Sequence, residues 1–262
     1  MLEKIPKDIL AYKIGNFLTV NEIVSILLTS KKLVYTISDL RESSIKCVDL
    51  LYQSLKKENK DFDFFVVTSS DFTNLDKPYK FLYEYLDSSY VGWLKYTLNL
   101  PEGYDAYIYF DSDILCYESL DNLIGDSDFS LVCEKLTMSS RWFSYPFASE
   151  DEKNDFKTIK GINAGTYVFK NLEFIDKVRE NYKFYNKNLD HKKQAMFEQS
   201  CFNYALYEYV KTNSFYDISK YVKLFAKNEV LDETIYHFCG YEGFMDNKLQ
   251  RMIQFDNLYL SK

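Results

Sequence analysis

The chain has 262 residues, 47% of them hydrophobic, which is enough to bury one large α/β core and excludes a disordered polypeptide. Its 32 basic and 39 acidic side chains leave a net charge of -7, so an extended nucleic-acid surface is excluded because phosphate backbones would repel it. No apolar run reaches the ~18 residues of a membrane span, and the charged start MLEKIPKDIL lacks the apolar core of a signal peptide, so a cytoplasmic protein is expected.

The five cysteines are odd in number and scattered, with no C-x-x-C pair. Reduced thiols and no structural zinc are expected. Tyr and Phe are abundant, and they read first as core rather than as sugar-stacking surface.

Residues 1–31 have helical spacing, with Ile5, Ile9, Ile14 and Phe17 on one face and a capping-box pair, Thr19 and Glu22. From Lys32 onward strands and helices alternate. LVYTIS (33–38) predicts a strand, 40–57 a helix and FDFFVVTS (62–69) a second strand. A mostly helical stretch is expected over 77–99. YDAYIYF (104–110), SDFSLVCE (127–134) and TYVFK (166–170) predict three further strands, separated by a long polar loop at 137–160. Helices are expected at 171–187 and 193–212, and short strands at 221–225 and 234–238. Repeated strand–helix–strand units predict a largely parallel sheet covered by helices, with ligands beyond the carboxyl ends of its strands.

Four segments carry chemistry. In YIYFDSDIL an apolar strand ends directly in Asp111-Ser112-Asp113, so two carboxylates can turn to one cation, and oxygen ligands suit magnesium or manganese. His237, closing an apolar stretch before Gly240, would add a nitrogen ligand and shift the preference toward manganese. Asn163-Ala164-Gly165 precedes a predicted strand and suits a backbone that lines a pocket. Glu198, Gln199 and Asn203 fall within about one helical turn and form a polar cluster on an apolar helix. Neither G-x-x-x-x-G-K-[ST] nor G-x-G-x-x-G occurs, so P-loop hydrolysis and dinucleotide redox chemistry lack their phosphate cradles.

In this order the four segments resemble glycosyltransferase family eight, which includes glycogenin and the lipopolysaccharide galactosyltransferases. YIYFDSDIL is similar to its D-x-D segment, GINAGTYVFKN to its N-[SA]-G strand entry, EQSCFN to its [DE]-Q-x-x-x-N helix and HFCG to its H-[FY]-x-G loop. The resemblance covers about residues 32–250. It implies a GT-A fold: a Rossmann-like, mixed and mostly parallel sheet flanked by helices, here with a short N-terminal helical segment. It implies a retaining transferase that moves a hexose from a UDP-sugar to an acceptor hydroxyl on a glycan or protein, with Mn2+ as cofactor and Mg2+ as the other candidate.

Carried over, Asp111, Asp113 and His237 would bind the metal, and Asp111 would lie near the ribose. Gly240 would lie by the pyrophosphate. Asn163, Gly165, Glu198 and Gln199 would line the transferred sugar and acceptor, with Ser112, Ala164 and Asn203 beside them. Glu198 or Gln199 would stabilise the reacting sugar. Lys95 would contact the donor, and Asp39 would lie near the base. The family motif continues H-x-x-G-x-x-K-P-W, whereas Gly243, Phe244 and Met245 stand here, and Lys248 is the lysine that could reach back.

IPKDILAYKIGNFLTVNEIVSILLTSKKL resembles the front of an F-box, the motif that docks on a cullin-ligase adaptor. It is shorter than a complete one, so adaptor binding is expected to be lost. The expected domains are thus 1–31, F-box-like, and 32–262, a GT-A transferase. The rival reading is an inactive transferase fold that serves as a binding or adaptor module. A nucleotidyltransferase or a D-x-D phosphohydrolase fits less well. The first lacks a Gly-rich basic loop, and the second would carry its Asp near the start of the chain.

Overall fold

The computed structural model describes residues 31–85, 91–97, 99–188, 197–226, 234–239 and 245–260. The F-box-like segment, apart from Lys31, lies outside the described residues, as does Gly240. In chain order the elements are β1 (Lys32–Ile37), α1 (Glu42–Glu58), β2 (Asp63–Thr68), β3 (Lys80–Tyr83), β4 (Ala106–Phe110), β5 (Ile114–Cys116) and β6 (Phe129–Thr137). There follow α2 (Glu150–Asp155), β7 (Lys160–Phe169), α3 (Glu173–Asn188), α4 (Phe197–Lys211), β8 (Tyr216–Asp217), β9 (Val222–Leu224), β10 (Ile235–His237) and α5 (Met245–Leu260). Among the described residues no helix is long and apolar enough to cross a membrane.

Seven strands form one sheet in the order β3-β2-β1-β4-β7-β6-β8. β3, β2, β1 and β4 are mutually parallel, and β7 alone runs the other way. The chain leaves β1 toward β2 on one side and returns to β4 on the other. The carboxyl ends of β1 and β4 therefore flank a topological switch point, where open α/β sheets bind ligands. This is the expected mixed, mostly parallel sheet flanked by helices.

The strands are apolar throughout because both faces are covered. Leu33, Tyr35, Phe65 and Val67 pack with Val178 of α3 and Phe202 of α4, while Val34, Phe64, Val66 and Ile108 meet Val48, Leu51 and Leu55 of α1. Each such buried aliphatic side chain contributes about 1.5–3 kcal/mol. A second sheet, β5-β10-β9, carries its own small core with Leu115, Tyr236, Met252 and Phe255, closed by α5.

The structure corrects several expectations. The stretch 77–99 is not mainly helical: it holds β3 and a 3-10 turn at Val91–Tyr96. β3 pairs with β2, and the alternation of aromatic residues at Tyr79, Phe81 and Tyr83 suits such an edge strand. The polar loop at 137–160 contains α2, started by a complete capping box between Ser149 and Glu152. Asn163-Ala164-Gly165 lies inside β7 rather than before it. β5, β8 and α5, none of them expected, are present.

Candidate active site

β4 delivers Asp111 to the switch point. Its five residues are all buried, and the main chain turns just past Phe110. The Asp111 amide donates to the Gly165 carbonyl at 2.8 Å, tying the turn to β7. β5 starts directly after Asp113 and pairs antiparallel with β10, setting His237 opposite Ile114. The Phe238 amide donates to the Asp113 carbonyl at 3.0 Å. A ladder of three residue pairs thus brings together groups far apart in sequence.

His237 Nε2 lies 3.4 Å from Asp111 Oδ2 and 3.4 Å from Asp113 Oδ1. One ligand atom from each of these three residues lies within 4.8 Å of the others. Asp113 and His237 are nearly inaccessible to solvent. Neither imidazole nitrogen has a hydrogen-bond partner among the described residues. Nε2 thus faces both carboxylates without a hydrogen bond to either, and a metal held by all three groups would satisfy it. Two carboxylate oxygens and one imidazole nitrogen suit a divalent cation such as manganese or magnesium. The donor set therefore fits the expected metal.

Two lysines balance the carboxylates. Lys95 Nζ is 3.0 Å from Asp111 Oδ1 and 4.0 Å from Glu198 Oε1. It comes from the 3-10 turn at Val91–Tyr96, whose Lys95 carbonyl accepts a 2.9 Å hydrogen bond from the Tyr35 hydroxyl. Lys248, from α5, pairs with Asp113 Oδ2 at 2.6 Å. Burial works against the charge on Asp111, but Lys95 and then His237 overcome it and hold its carboxyl well below the usual range. Burial likewise opposes charge on Lys95, yet Asp111 and Glu198 raise its pKa above the ordinary lysine value. Asp111 and Asp113 are thus each paired with a lysine in a largely buried charged network.

The N-A-G segment has a specific backbone reason. Leu131 pairs with Tyr167, but the next residue, Val132, pairs with Asn163, so residues 164–166 of β7 bulge away from β6. The bulge carries Gly165 against the metal-ligand cluster. A Cβ there would overlap the His237 ring and come within 2.7 Å of Asp111 Oδ2, so only glycine fits. Asn163 Oδ1 accepts from the Gly165 amide at 2.9 Å, and its Nδ2 donates to Glu134 at 2.9 Å.

The α4 residues divide by role. Gln199 Oε1 accepts from the Ala164 amide at 3.3 Å, and its Nε2 donates to the Trp142 carbonyl at 3.3 Å. Glu198 faces Lys95. Asn203, expected to touch a ligand, is instead fully buried. Its Oδ1 accepts from the Ile162 amide at 2.7 Å, and its Nδ2 donates to the Ile162 and Gln199 carbonyls at 2.9 Å each. It binds both backbone groups of Ile162, close to the bulge in β7, which leaves it positioning the pocket backbone.

Ser112 is buried between the two carboxylates. Ala164 contributes its carbonyl to Lys95 Nζ at 3.4 Å. Asp39, at the carboxyl end of β1, is engaged by Arg41 through its amide (3.1 Å) and its guanidinium (2.6 Å). It does not join the cluster.

Sequence reasoning missed Tyr109, whose hydroxyl donates to Asp111 Oδ1 at 2.5 Å, and Glu134, which holds Asn163. The first was findable: positions 109 and 111 fall on one side of an alternating strand. Glu134 depends on a β6–β7 register that no local pattern announces.

No protein-family model matches the sequence, and no curated protein matches it. Solved structures do resemble it. The galactosyltransferase LgtC in complex with donor and acceptor sugar analogues superposes with a TM-score of 0.56 at 16% identity, over 87% of this chain and 95% of that one. The apo form of the glycosyltransferase GlyE from Streptococcus pneumoniae TIGR4 gives 0.52 at 13% identity, over 89% of this chain and 64% of its own. A glycosyltransferase involved in glycosylation of the major capsid of PBCV-1 gives 0.50 at 15% identity, over 85% and 98%. With its switch-point carboxylates and its single reversed strand β7, the chain has the GT-A type of mixed α/β fold that these glycosyltransferases share.

Proposed function

We propose that the protein is a metal-dependent, retaining glycosyltransferase that moves a hexose from a UDP-sugar to an acceptor hydroxyl. The observation that carries this reading is the buried Asp111–Asp113–His237 donor set at the carboxyl end of β4, in a GT-A fold. The complex of LgtC with donor and acceptor sugar analogues supports the same substrate classes for this chain.

Asp111, Asp113 and His237 hold the cation, which when bound supplies Lewis-acid stabilisation of charge on departing UDP. Lys95 fixes the Asp111 carboxylate through the 3.0 Å pair, so the ligand oxygen is set before the donor arrives. Lys248 brings positive charge to the Asp113 side of the site and stands in for the lysine missing from the family motif. Gly165 lets the β7 backbone lie directly against the ligands. Gln199, locked to Ala164 and Trp142, presents its amide to the sugar face. Glu198 is committed to Lys95 and stabilises positive charge developing at the anomeric carbon.

In the reaction the bond from the anomeric carbon to the β-phosphate oxygen breaks, and a bond to the acceptor oxygen forms. The acceptor proton passes to the departing phosphate oxygen. Attack from the side that UDP leaves retains the configuration and needs no protein nucleophile, which agrees with the pairing of Glu198.

The test is UDP release across a panel of UDP-hexoses with and without Mn2+, for the wild type and for Asp111→Ala. Release from at least one donor, dependent on metal and lost in the variant, is expected. Full activity in Asp111→Ala, or metal-independent release, would overturn the proposal.

A further inference from the structure

A cavity of about 840 Å³ opens at Asn163, two residues along β7 from Gly165, and the proposed reaction does not account for its walls. Asn163 and Gln199 form its polar end. Each amide makes one donor and one acceptor bond to the protein among the described residues, so each keeps one of both for hydroxyls. Away from that end the lining is mainly apolar and includes Leu136, Trp142, Phe143, Leu224 and Phe225. The remaining charges, Glu134, Lys135 and Lys223, are of mixed sign and do not select an ionic ligand.

This apolar wall is built rather than accidental. Phe143 lies flat on Gly161, where any Cβ would collide with its ring, so the loop bearing Trp142 is seated on β7. The Trp142 carbonyl is held by Gln199. Phe225 is 48% exposed and has a φ of +54°, a backbone state that a bulky residue adopts only under constraint. Backbone strain of this kind clusters at ligand clamps. The following amide, Ala226, donates to the His237 carbonyl at 3.2 Å, tying the Phe225 turn to the metal-ligand strand. Leu136 faces solvent at 50% exposure. Together with Phe225 it adds exposed apolar surface to one cavity, as in ligand-binding grooves.

A volume in the range of roughly 300–1,000 Å³ takes a ligand larger than one sugar ring. Resting on the glycosyltransferase reading, we propose that the acceptor is a glycoside with an apolar aglycone, its hydroxyls at Asn163 and Gln199 and its aliphatic or aromatic group against Trp142, Leu136 and Phe225. A free, fully polar sugar would leave this wall uncovered.

The test is binding of octyl, phenyl and methyl β-glycosides of glucose and galactose to the full chain, kept below micelle-forming concentrations. Intrinsic fluorescence reports it: Trp142 lines the cavity, and Trp93, the other tryptophan, is buried. Each buried methylene tightens binding by about fourfold, so burial of only two or three of the extra methylenes makes an octyl glycoside bind about 30-fold tighter than its methyl counterpart. Phenyl against octyl separates an aromatic from an aliphatic aglycone. Leu136→Asp and Phe225→Ser, both at half-exposed positions, should each reduce octyl binding at least fivefold while thermal unfolding shows them folded. Trp142→Phe should keep the affinity, measured by calorimetry, and abolish the fluorescence change.

Equal affinity for methyl and octyl glycosides overturns the proposal, as does octyl binding that ignores Leu136→Asp and Phe225→Ser. UDP release is scored separately. Wall-dependent octyl binding without UDP release from any sugar would sink the transferase reading, and the acceptor role with it, while leaving the ligand class. Metal-dependent transfer to methyl and octyl glycosides alike would keep the transferase reading and sink the apolar acceptor.

Discussion

At the residue scale the site is governed by space and charge at single positions. Gly165 touches His237, Asp111 and Asn163 at once, so its missing side chain is a requirement of the cluster. Gly165→Ala should weaken Mn2+ binding at least tenfold and lower stability by about 1–3 kcal/mol, the usual cost of overpacking. Manganese titration followed by paramagnetic resonance, with urea unfolding alongside, checks both. Wild-type affinity in Gly165→Ala would mean that the ring and carboxylates can shift freely. Lys95 is the second such position, because it sits buried between Asp111 and Glu198. Lys95→Met removes the cation from a buried pair and should cost about 3–5 kcal/mol. Saturating Mn2+ should restore part of that loss by bringing positive charge back to Asp111. No loss in urea unfolding would show that Asp111 is solvated and not held by Lys95. Of these residues, the D-x-D pair and His237 stood out in the sequence because their types are scarce or acidic at a strand end. Lys95 entered through the family resemblance, since nothing local marks a lysine as buried.

At the element scale two devices build the pocket: the β5–β10 pairing and the β7 bulge. β5 has only three residues, too few for a pattern, yet its ladder carries His237 to Asp113. Beside the bulge, Asn203 binds both backbone groups of Ile162. Asn203→Ala leaves buried backbone groups of Ile162 without partners, at about 1–3 kcal/mol. Faster amide exchange at Ile162 and lower UDP-sugar turnover should accompany it. Unchanged exchange would show that another group or water satisfies Ile162 instead. β1, β2 and β4 were legible because a strand buried on both faces is apolar at every position. β3 was not, since Phe81, Leu82 and Tyr85 also fall at helical spacing. α5 carries Leu249, Met252 and Phe255 at threefold spacing, but it packs on the small second sheet, whose strands are too short to announce a core.

At the scale of the whole molecule, the proposed metal would be a term in folding. Any ligand that binds only the folded chain stabilises it, by about 2.7 kcal/mol at a hundredfold excess over Kd. For a chain of this size Tm should rise by about 5–10 °C with Mn2+ at that excess. A chelator should reverse the rise, and Asp113→Ala should abolish it. A rise that persists in Asp113→Ala would show that the stabilising ion binds elsewhere. Mn2+ must also compete with Lys248 for Asp113, so the observed shift reports affinity net of that ion pair.

The sequence by itself determined the strand–helix alternation, the acidic strand end at Asp111 and Asp113, and the residue types able to hold a divalent cation. These are local properties: side-chain period, apolar runs and the chemistry of single groups. Only the tertiary structure decided that His237 reaches both carboxylates, that Lys95 and Lys248 neutralise them, that Asn203 serves the backbone, and that Trp142, Leu136 and Phe225 form one wall. Those facts depend on strand order, on register and on a three-residue bulge. Each is set by packing between segments distant in the chain, and so leaves no mark in any short stretch of it.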